Sequence, residues 1–376
     1  MSLILDGTNG ITTPMYNGAI SSNQVTPTIG FKNKIINGAM QIDQRDSGAS
    51  FTPTTSAGYS LDRWYAGVTQ NSKFTIQQNA GSVTPPTGFI NYLGCTSSSA
   101  YTVLSGDVFV LQQSIEGLNI ADLAWGTANA KTVTLSFQVY SSLTGTFGGS
   151  IRNSTSNRSY PFTYTISSAN TWTSISVTIP GDTTGTWLTT NGTGMCVIFS
   201  LGAGSTYSGT AGSWSGNSYV SATGATSVVG TNGATFYITG VQLEVGSSAT
   251  SFDYRSYGTE LALCQRYLPA FNGDSRVILL GNSTTASYGS MTLPVQARTA
   301  PTGLTVVGLS SYGVVNYNNG GTGTPTAIGL NTASNMIAQI SVTTTAGSPT
   351  IAAGNVGFLY SVTPASTQIL FTGCEL

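Results

Sequence analysis

Charge is what this sequence has least of. Asp, Glu, Lys and Arg make up 7% of its 376 residues, twelve basic against thirteen acidic, and there is no histidine. Without a basic excess there is no footprint for phosphate neutralisation, so nucleic acid is not an expected partner. Without histidine the imidazole bases and common catalytic triads are unavailable. The cysteines, Cys95, Cys196, Cys264 and Cys374, form no C-x-x-C pair, so zinc and redox motifs have no support and neither metal nor cofactor is expected. Two disulfides are possible by number, but buried free thiols are the preferred reading. No apolar run approaches membrane-spanning length. The start, Met1-Ser-Leu-Ile-Leu, lacks the basic opening of a signal peptide, so synthesis in a cytoplasm without membrane insertion is expected. The runs "GGTGT" and "GTNG" lack the lysine of a phosphate-binding loop.

What replaces charge is glycine, 46 residues, with abundant Ser, Thr and Asn. Such residues suit turns and exposed strand faces, and suit surface helices poorly. Low charge reads in two ways: as a plain β protein, or as a surface covered by identical partners, because interface cores are depleted in charge. Both stay open. The length makes two domains the default expectation.

Residues 1–30 carry Asp6-Gly7, Asn9-Gly10 and Asn17-Gly18 turn signals at spacings too short for strands, which predicts an extended arm. "KTVTLSFQVYSS" (131–142) alternates as a half-buried strand. "TWTSISVTIP" (171–180) alternates after one out-of-phase step read as a bulge. "GMCVIFSLGAG" (194–204) is continuously apolar, as in a central strand buried on both faces, and "ATFYITGVQLEV" (234–245) closes the series. After Tyr267 come further short β segments, from "SRVILLG" to "TQILFTGCEL". The fold class expected is all-β: an antiparallel jelly-roll sandwich, a short linking helix, and a smaller C-terminal β domain. The boundaries are 1–30 for the arm, 31–268 for the jelly roll with its helix, and 269–376 for the C-terminal domain.

Against this neutral background, Glu244, Asp253, Arg255, Glu260 and Arg266 crowd one stretch. Thr259 or Ser256 can cap a helix there. Leu261, Cys264 and Leu268 then share a face, with Glu260 in the first turn and Arg266 in the last, as the helix dipole favours. These charges read as a structural elbow between two β regions. Asp62-Arg63-Trp64 reads as a strand-edge ion pair beside a core indole.

The stretch "YITGVQLEVGSSATSFDYRSYGTELALCQRYL" resembles a segment recurring in tail-fibre and other virion structural proteins of tailed bacteriophages. There it ends a carbohydrate-binding-module-like jelly roll. "NKIINGAMQIDQR" (33–45) and "YSLDRWY" (59–65) are similar to that domain's opening, "MSLILDGTNGITTP" to the N-terminus of aquatic-phage structural proteins, and "TLPVQARTAPTG" (292–303) with "FTGCEL" to a small C-terminal fibre domain. The resemblance implies a non-enzymatic virion part, a homotrimer held to other tail or capsid proteins by its N-terminal arm and touching host-surface glycans. A tail fibre is the leading reading. A capsid-decorating or head-fibre protein is the alternative, and a polysaccharide depolymerase the third.

A depolymerase needs only two carboxylates. Asp43, Asp46, Asp62, Asp107, Glu116, Asp122 and Asp182 qualify by type, but no spacing pairs them across a cleft. Sugars are held by flat aromatic rings with a few polar groups, and two loops offer these. Residues 205–224 carry Trp214, Tyr207 and Tyr219. The indole there is either a stacking platform or, as loops of the resembled family favour, a plug on the sandwich. Residues 310–326 carry Tyr312, Tyr317, Asn318 and Asn319 beside a glycine-rich tip, which is either a receptor contact or an ordinary hairpin.

Overall fold

A computed structural model describes residues 4–6, 10–12, 31–55, 58–273, 276–283, 285–318, 320–345 and 351–376. The chain divides into two units, Met1–Lys32 and Asn33–Leu376. In the first, Ile4–Asp6 and Gly10–Thr12 pair antiparallel as a hairpin, with Leu5 opposite Ile11. Two short strands thus form where the turn signals were read as too closely spaced for any. Residues 13–30 lie outside the described residues.

The second unit begins with a jelly-roll sandwich. One sheet has six strands, ordered Ser159–Ile166, Gly145–Asn153, Thr193–Ala203, Val108–Glu116, Tyr65–Val68 and Gly58–Tyr59. The facing sheet has five: Thr173–Ile179, Val133–Ser141, Thr235–Val245, Leu93–Ser97 and Phe74–Gln78. All pairings within both sheets are antiparallel, and the chain crosses repeatedly from one sheet to the other. Alternation explains the core: Val133, Leu135, Phe137 and Val139 point inward against Phe199 and Phe147 of the other sheet. Thr193–Ala203 is hydrogen-bonded on both edges and buried almost throughout, as its unbroken apolar run requires.

The bulge expected near Trp172 is not there. Thr173–Ile179 pairs with Val133–Ser141 in unbroken register. Trp172 precedes the strand and joins Tyr92, Tyr140 and Tyr237 on the outer face of the five-stranded sheet. A register shift does occur in Thr235–Val245, between Thr239 and Gln242. There Gly240 takes a left-handed φ of 62°. The bend receives residues 33–38: Asn33 donates to the Val241 carbonyl at 3.0 Å, and the Val241 N–H donates to Gly38. A Cβ on Gly38 would lie 2.2 Å from the Val241 oxygen, so only glycine fits.

The helix spans Tyr257–Gln265, with Ser256 at its N-cap. Ser256 makes no side-chain cap bond to the backbone; its hydroxyl meets that of Thr259 at 2.8 Å. Cys264 is buried with Ile36, Ile42 and Tyr267. Leu268 lies beyond the helix and packs with Ala270 and Leu370, so it does not extend the helical face.

The C-terminal region has its own core, including Leu279, Val314, Ile340, Leu359 and Phe371. A seven-stranded antiparallel sheet runs Thr322–Gly323, Tyr312–Asn316, Val356–Ser361, Val277–Gly281, Ala286–Thr292, Ile337–Thr344 and Pro325–Ala333. A three-stranded sheet has Gln368–Thr372 between Ala270–Asn272 and Gly303–Val307.

Candidate functional site

Of the charges expected at an elbow, Asp253, Arg255, Glu260 and Arg266 take partners distant in sequence, while Glu244 takes local ones. Arg266 grips Glu116 with two hydrogen bonds, Nε at 2.9 Å and Nη2 at 2.6 Å, and the Tyr267 hydroxyl donates to the same carboxylate at 2.7 Å. Burial pushes the Glu116 carboxyl up, but the bonds from Arg266 and Tyr267 outweigh it and hold it below the usual range. Arg266 is the C-cap residue; its guanidinium serves Glu116. Arg255 donates to the carbonyls of Ile35, at 3.0 Å, and Asn33, and lies 3.4 Å from Glu260. Glu260 accepts the Asn37 N–H, and Asp253 accepts the Asn33 N–H at 3.2 Å. Glu244 stands apart and pins the turn after its strand, accepting from the Thr250 N–H at 2.8 Å and its hydroxyl at 2.6 Å.

Asp62 and Arg63 are not a strand-edge pair. Asp62 accepts the Gln44 N–H at 2.6 Å and its side-chain amide at 2.7 Å. Burial raises its carboxyl to about 6 despite those bonds. Arg63 sits in a left-handed turn, φ 71°. Its guanidinium reaches the Glu375 carboxylate and the Ser114 carbonyl and lies 3.6 Å from the centre of the Tyr267 ring. Arg45 takes the other oxygen of Glu375 at 2.7 Å. Arg298 donates to the carbonyls of Cys374 at 2.7 Å, Glu375 at 2.6 Å and Asn191 at 3.0 Å. Sequence stretches 33–45, 59–65, 236–268 and 371–376 thus meet at one buried charged joint.

Most of the other acids among the described residues are also engaged. Asp182 takes a two-bonded grip from Arg158 at 2.7 and 2.6 Å. Asp107 accepts from the Tyr101 hydroxyl at 2.8 Å, Asp122 from Lys34 at 2.7 Å, and Asp43 from the backbone of Asp46 and Gly48. Asp46, with one buried oxygen unbonded, is raised to about 6, chiefly by burial and then by neighbouring Asp43. All four cysteines are buried with free thiols.

Among the ring candidates, Trp214 packs edge to face against Trp125 and Trp187, with centroids 5.3 and 5.7 Å away. Its indole N–H donates to the Pro180 carbonyl at 2.9 Å. Half-buried and hydrogen-bonded, it anchors its loop. Tyr219 lies over Gly209, where an added Cβ would be 2.3 Å from the ring, and its hydroxyl accepts from Asn217 at 3.0 Å. Tyr207 packs beside the cluster of Val110, Cys196, Ile198 and Val220 under the same loop.

Tyr312 is 4% exposed and belongs to the C-terminal core, so its ring is not offered to a ligand. Tyr317 is 64% exposed, its ring 5.2 Å from that of Phe358. Beside it Asn318 is exposed and donates to Asn355 at 2.6 Å. Asn319 lies outside the described residues. The arrangement offers a ring with free surface beside a pair of amides. Phe358 and Tyr360, whose rings continue this surface at 5.5 Å, were missed by sequence reasoning. The signal was the alternation in "NVGFLYS", which turns both rings to the face opposite Leu359.

No family model matches the chain, and no curated protein matches it. Solved structures are similar to parts of it. The enzymatically active domain of tailspike protein 4 from bacteriophage CBA120 aligns over 57% of this chain and 22% of its own, at 14% identity and a TM-score of 0.31. The family 11 carbohydrate-binding module from Clostridium thermocellum, in complex with a mixed-linked tetrasaccharide, aligns over 53% of this chain and 96% of its own, at 10% identity and a TM-score of 0.26. The tandem CBM22 domain of Paenibacillus barcinonensis Xyn10C covers 88% of this chain and 98% of its own, at 6% identity and a TM-score of 0.25. Similarity this distant leaves ligand and activity to be read from the chain's own side chains.

Proposed function

We propose that this chain is a non-enzymatic structural component of a bacteriophage virion, a tail fibre that touches host-surface glycans through its C-terminal β region. In this reading residues 1–30 attach it to the virion, the jelly roll supplies bulk, and three copies form the working unit. The reading is supported by the resemblance of the opening, closing and terminal motifs to virion proteins. It is also supported by Asp62, Asp107, Glu116, Asp122 and Asp182, whose carboxylates are engaged by structural partners. The observation that carries glycan contact is the contrast between Tyr317, exposed beside Asn318 and Asn355, and Trp214, whose edge and N–H are already engaged. Adhesion by several copies multiplies weak contacts and needs no deep pocket.

Binding of the purified chain to host cells tests the reading. Tyr317→Ala with Asn318→Ala is expected to reduce adsorption at least tenfold while leaving fold and assembly intact. Unchanged adsorption removes this loop as the contact. Release of reducing sugar from host polysaccharide by the purified chain overturns the non-enzymatic part.

A further inference from the structure

One face of the three-stranded sheet changes character along its length. Ala270 and Leu370 pair in one row, and Leu268 packs on both and seals them. Side chains return to the same face every second residue. The next row on that face is therefore Asn272, Gln368 and Val307, which are register partners across all three strands. This row is not sealed. Asn272 is exposed, Val307 is 42% exposed and Gln368 is half-buried. It lines an open cleft of about 340 Å³. Small-molecule sites span about 300–1,000 Å³ and favour junctions between domains.

The helix supplies another wall. Tyr257 and Leu261 are four residues apart, so they stand on one side of it, and both line the cleft. Tyr257 is 61% exposed. The stretch from Ile42 to Gln44 completes the lining, with Ile42 and Gln44 buried and Asp43 half-buried. These walls are tied together by the protein itself. The Gln44 amide donates to the Leu268 carbonyl at 3.3 Å and accepts from Gln265 at 3.4 Å, and the Phe371 N–H donates to Pro269 at 2.9 Å.

We propose that this cleft is a second saccharide site, one that takes a neutral sugar. Its polar atoms are only partly used. Gln368 Nε2 donates to Asn272 Oδ1 at 2.7 Å. That leaves the Asn272 amide nitrogen and the Gln368 amide oxygen, a donor and an acceptor, without a partner among the described residues. The Tyr257 hydroxyl makes no hydrogen bond and its ring meets no other ring among those residues. A ring with a free face suits the C–H face of a sugar, and a donor and acceptor side by side suit its hydroxyls. The lining includes the Asp43 carboxylate and no Lys or Arg, which disfavours phosphates and acidic sugars. Its amides interrupt the continuous apolar groove that a peptide helix would need. The site uses none of the residues of the Tyr317 contact, so either can fail alone.

The test is saturation-transfer NMR on the purified full chain. The probes are maltose, cellobiose, lactose and diacetylchitobiose, with digalacturonate as the acidic control. At least one neutral disaccharide is expected to bind. Tyr257→Ala and Gln368→Ala should each weaken that binding roughly tenfold or more. Val307→Trp, which fills the cleft, should abolish it. Circular dichroism checks the fold of each variant. Tyr257 is exposed in the first helical turn, so its variant keeps the test valid if Gln368→Ala does not fold. Binding of none of the neutral probes overturns the proposal, and so does binding that survives Tyr257→Ala in a folded chain. Preference for digalacturonate overturns the neutral assignment. Binding lost on Tyr317→Ala with Asn318→Ala and kept in Tyr257→Ala places the sugar at that loop and not here. Failure of the cleft leaves the Tyr317 contact standing, because adsorption to cells by a different variant reads that contact.

Discussion

The sandwich and the C-terminal region treat aromatic rings in opposite ways. On the sandwich, outer faces are roofed by the chain itself. Residues 204–224 fold over the six-stranded sheet, where Val220 joins Val110, Cys196 and Ile198. Trp172 and Val83 pack over Tyr92, Tyr140 and Tyr237 on the other sheet, and Tyr140 and Tyr237 stack with an interplanar angle of 6°. On the C-terminal region Ile278 and Leu280 stay exposed, and Phe358 lies under the Arg276 guanidinium, 5.3 Å from its ring centre. A large ring in a glycine-rich loop is therefore ambiguous by type. What separates a platform from a plug is whether its edges and polar atoms are already engaged.

The sharpest way to break this comparison is to cut the joint that ties the two regions together. Arg266→Met leaves Glu116 buried without its cation, a change expected to cost about 4 kcal/mol. Calorimetry should then show two unfolding transitions where the wild type shows one. A single transition at the original temperature would mean that the regions are not coupled there. Next in size, Trp214→Ala should destabilise the sandwich by about 3 kcal/mol in denaturant titration. Tyr317→Ala should change stability by less than about 0.5 kcal/mol. Equal effects would erase the distinction between plug and platform.

A smaller effect depends on pH. The folded pKa of Asp62 is raised to about 6 by burial, so the folded chain binds a proton more tightly than the unfolded one. Its contribution is most favourable below about pH 4 and is lost as pH rises through 6, a swing of roughly 3 kcal/mol. Asp46 acts in the same window but is partly solvated and contributes less. Asp62→Asn should flatten the stability profile between pH 4 and 6, and an unchanged slope would assign it elsewhere. Glu116 and Asp182, held below the usual range, act oppositely and lose their contribution as pH falls through their folded pKa values. Also small, Tyr219→Phe removes one exposed bond from Asn217 and should cost under about 1 kcal/mol.

Strands whose inward residues alternate cleanly, such as Val133–Ser141, were legible because period two is a local signal. Pro325–Ala333 was not: Pro325, Gly329 and Asn331 interrupt its pattern, and its pairing with Ile337–Thr344 shifts register twice. The joint was half legible. Glu260 and Arg266 stood out in a neutral sequence, but Glu116, Arg63 and Glu375 come from far along the chain, and spacing carries no information about such partners. Trp172 misled because an aromatic just outside a strand looks like a strand residue one step out of phase. Tyr312 and Tyr317 are five apart and of one residue type. Only the pleat of Tyr312–Asn316, which turns Tyr312 inward before the loop releases Tyr317, separates core from surface.

The Glu375 clamp has a mechanical consequence. Its carboxylate is held by Arg45 and Arg63, and the carbonyls beside it by Arg298. A pull applied at the Tyr317 loop therefore travels into the sandwich through several parallel ionic struts as well as the backbone. The two regions should turn as one lever.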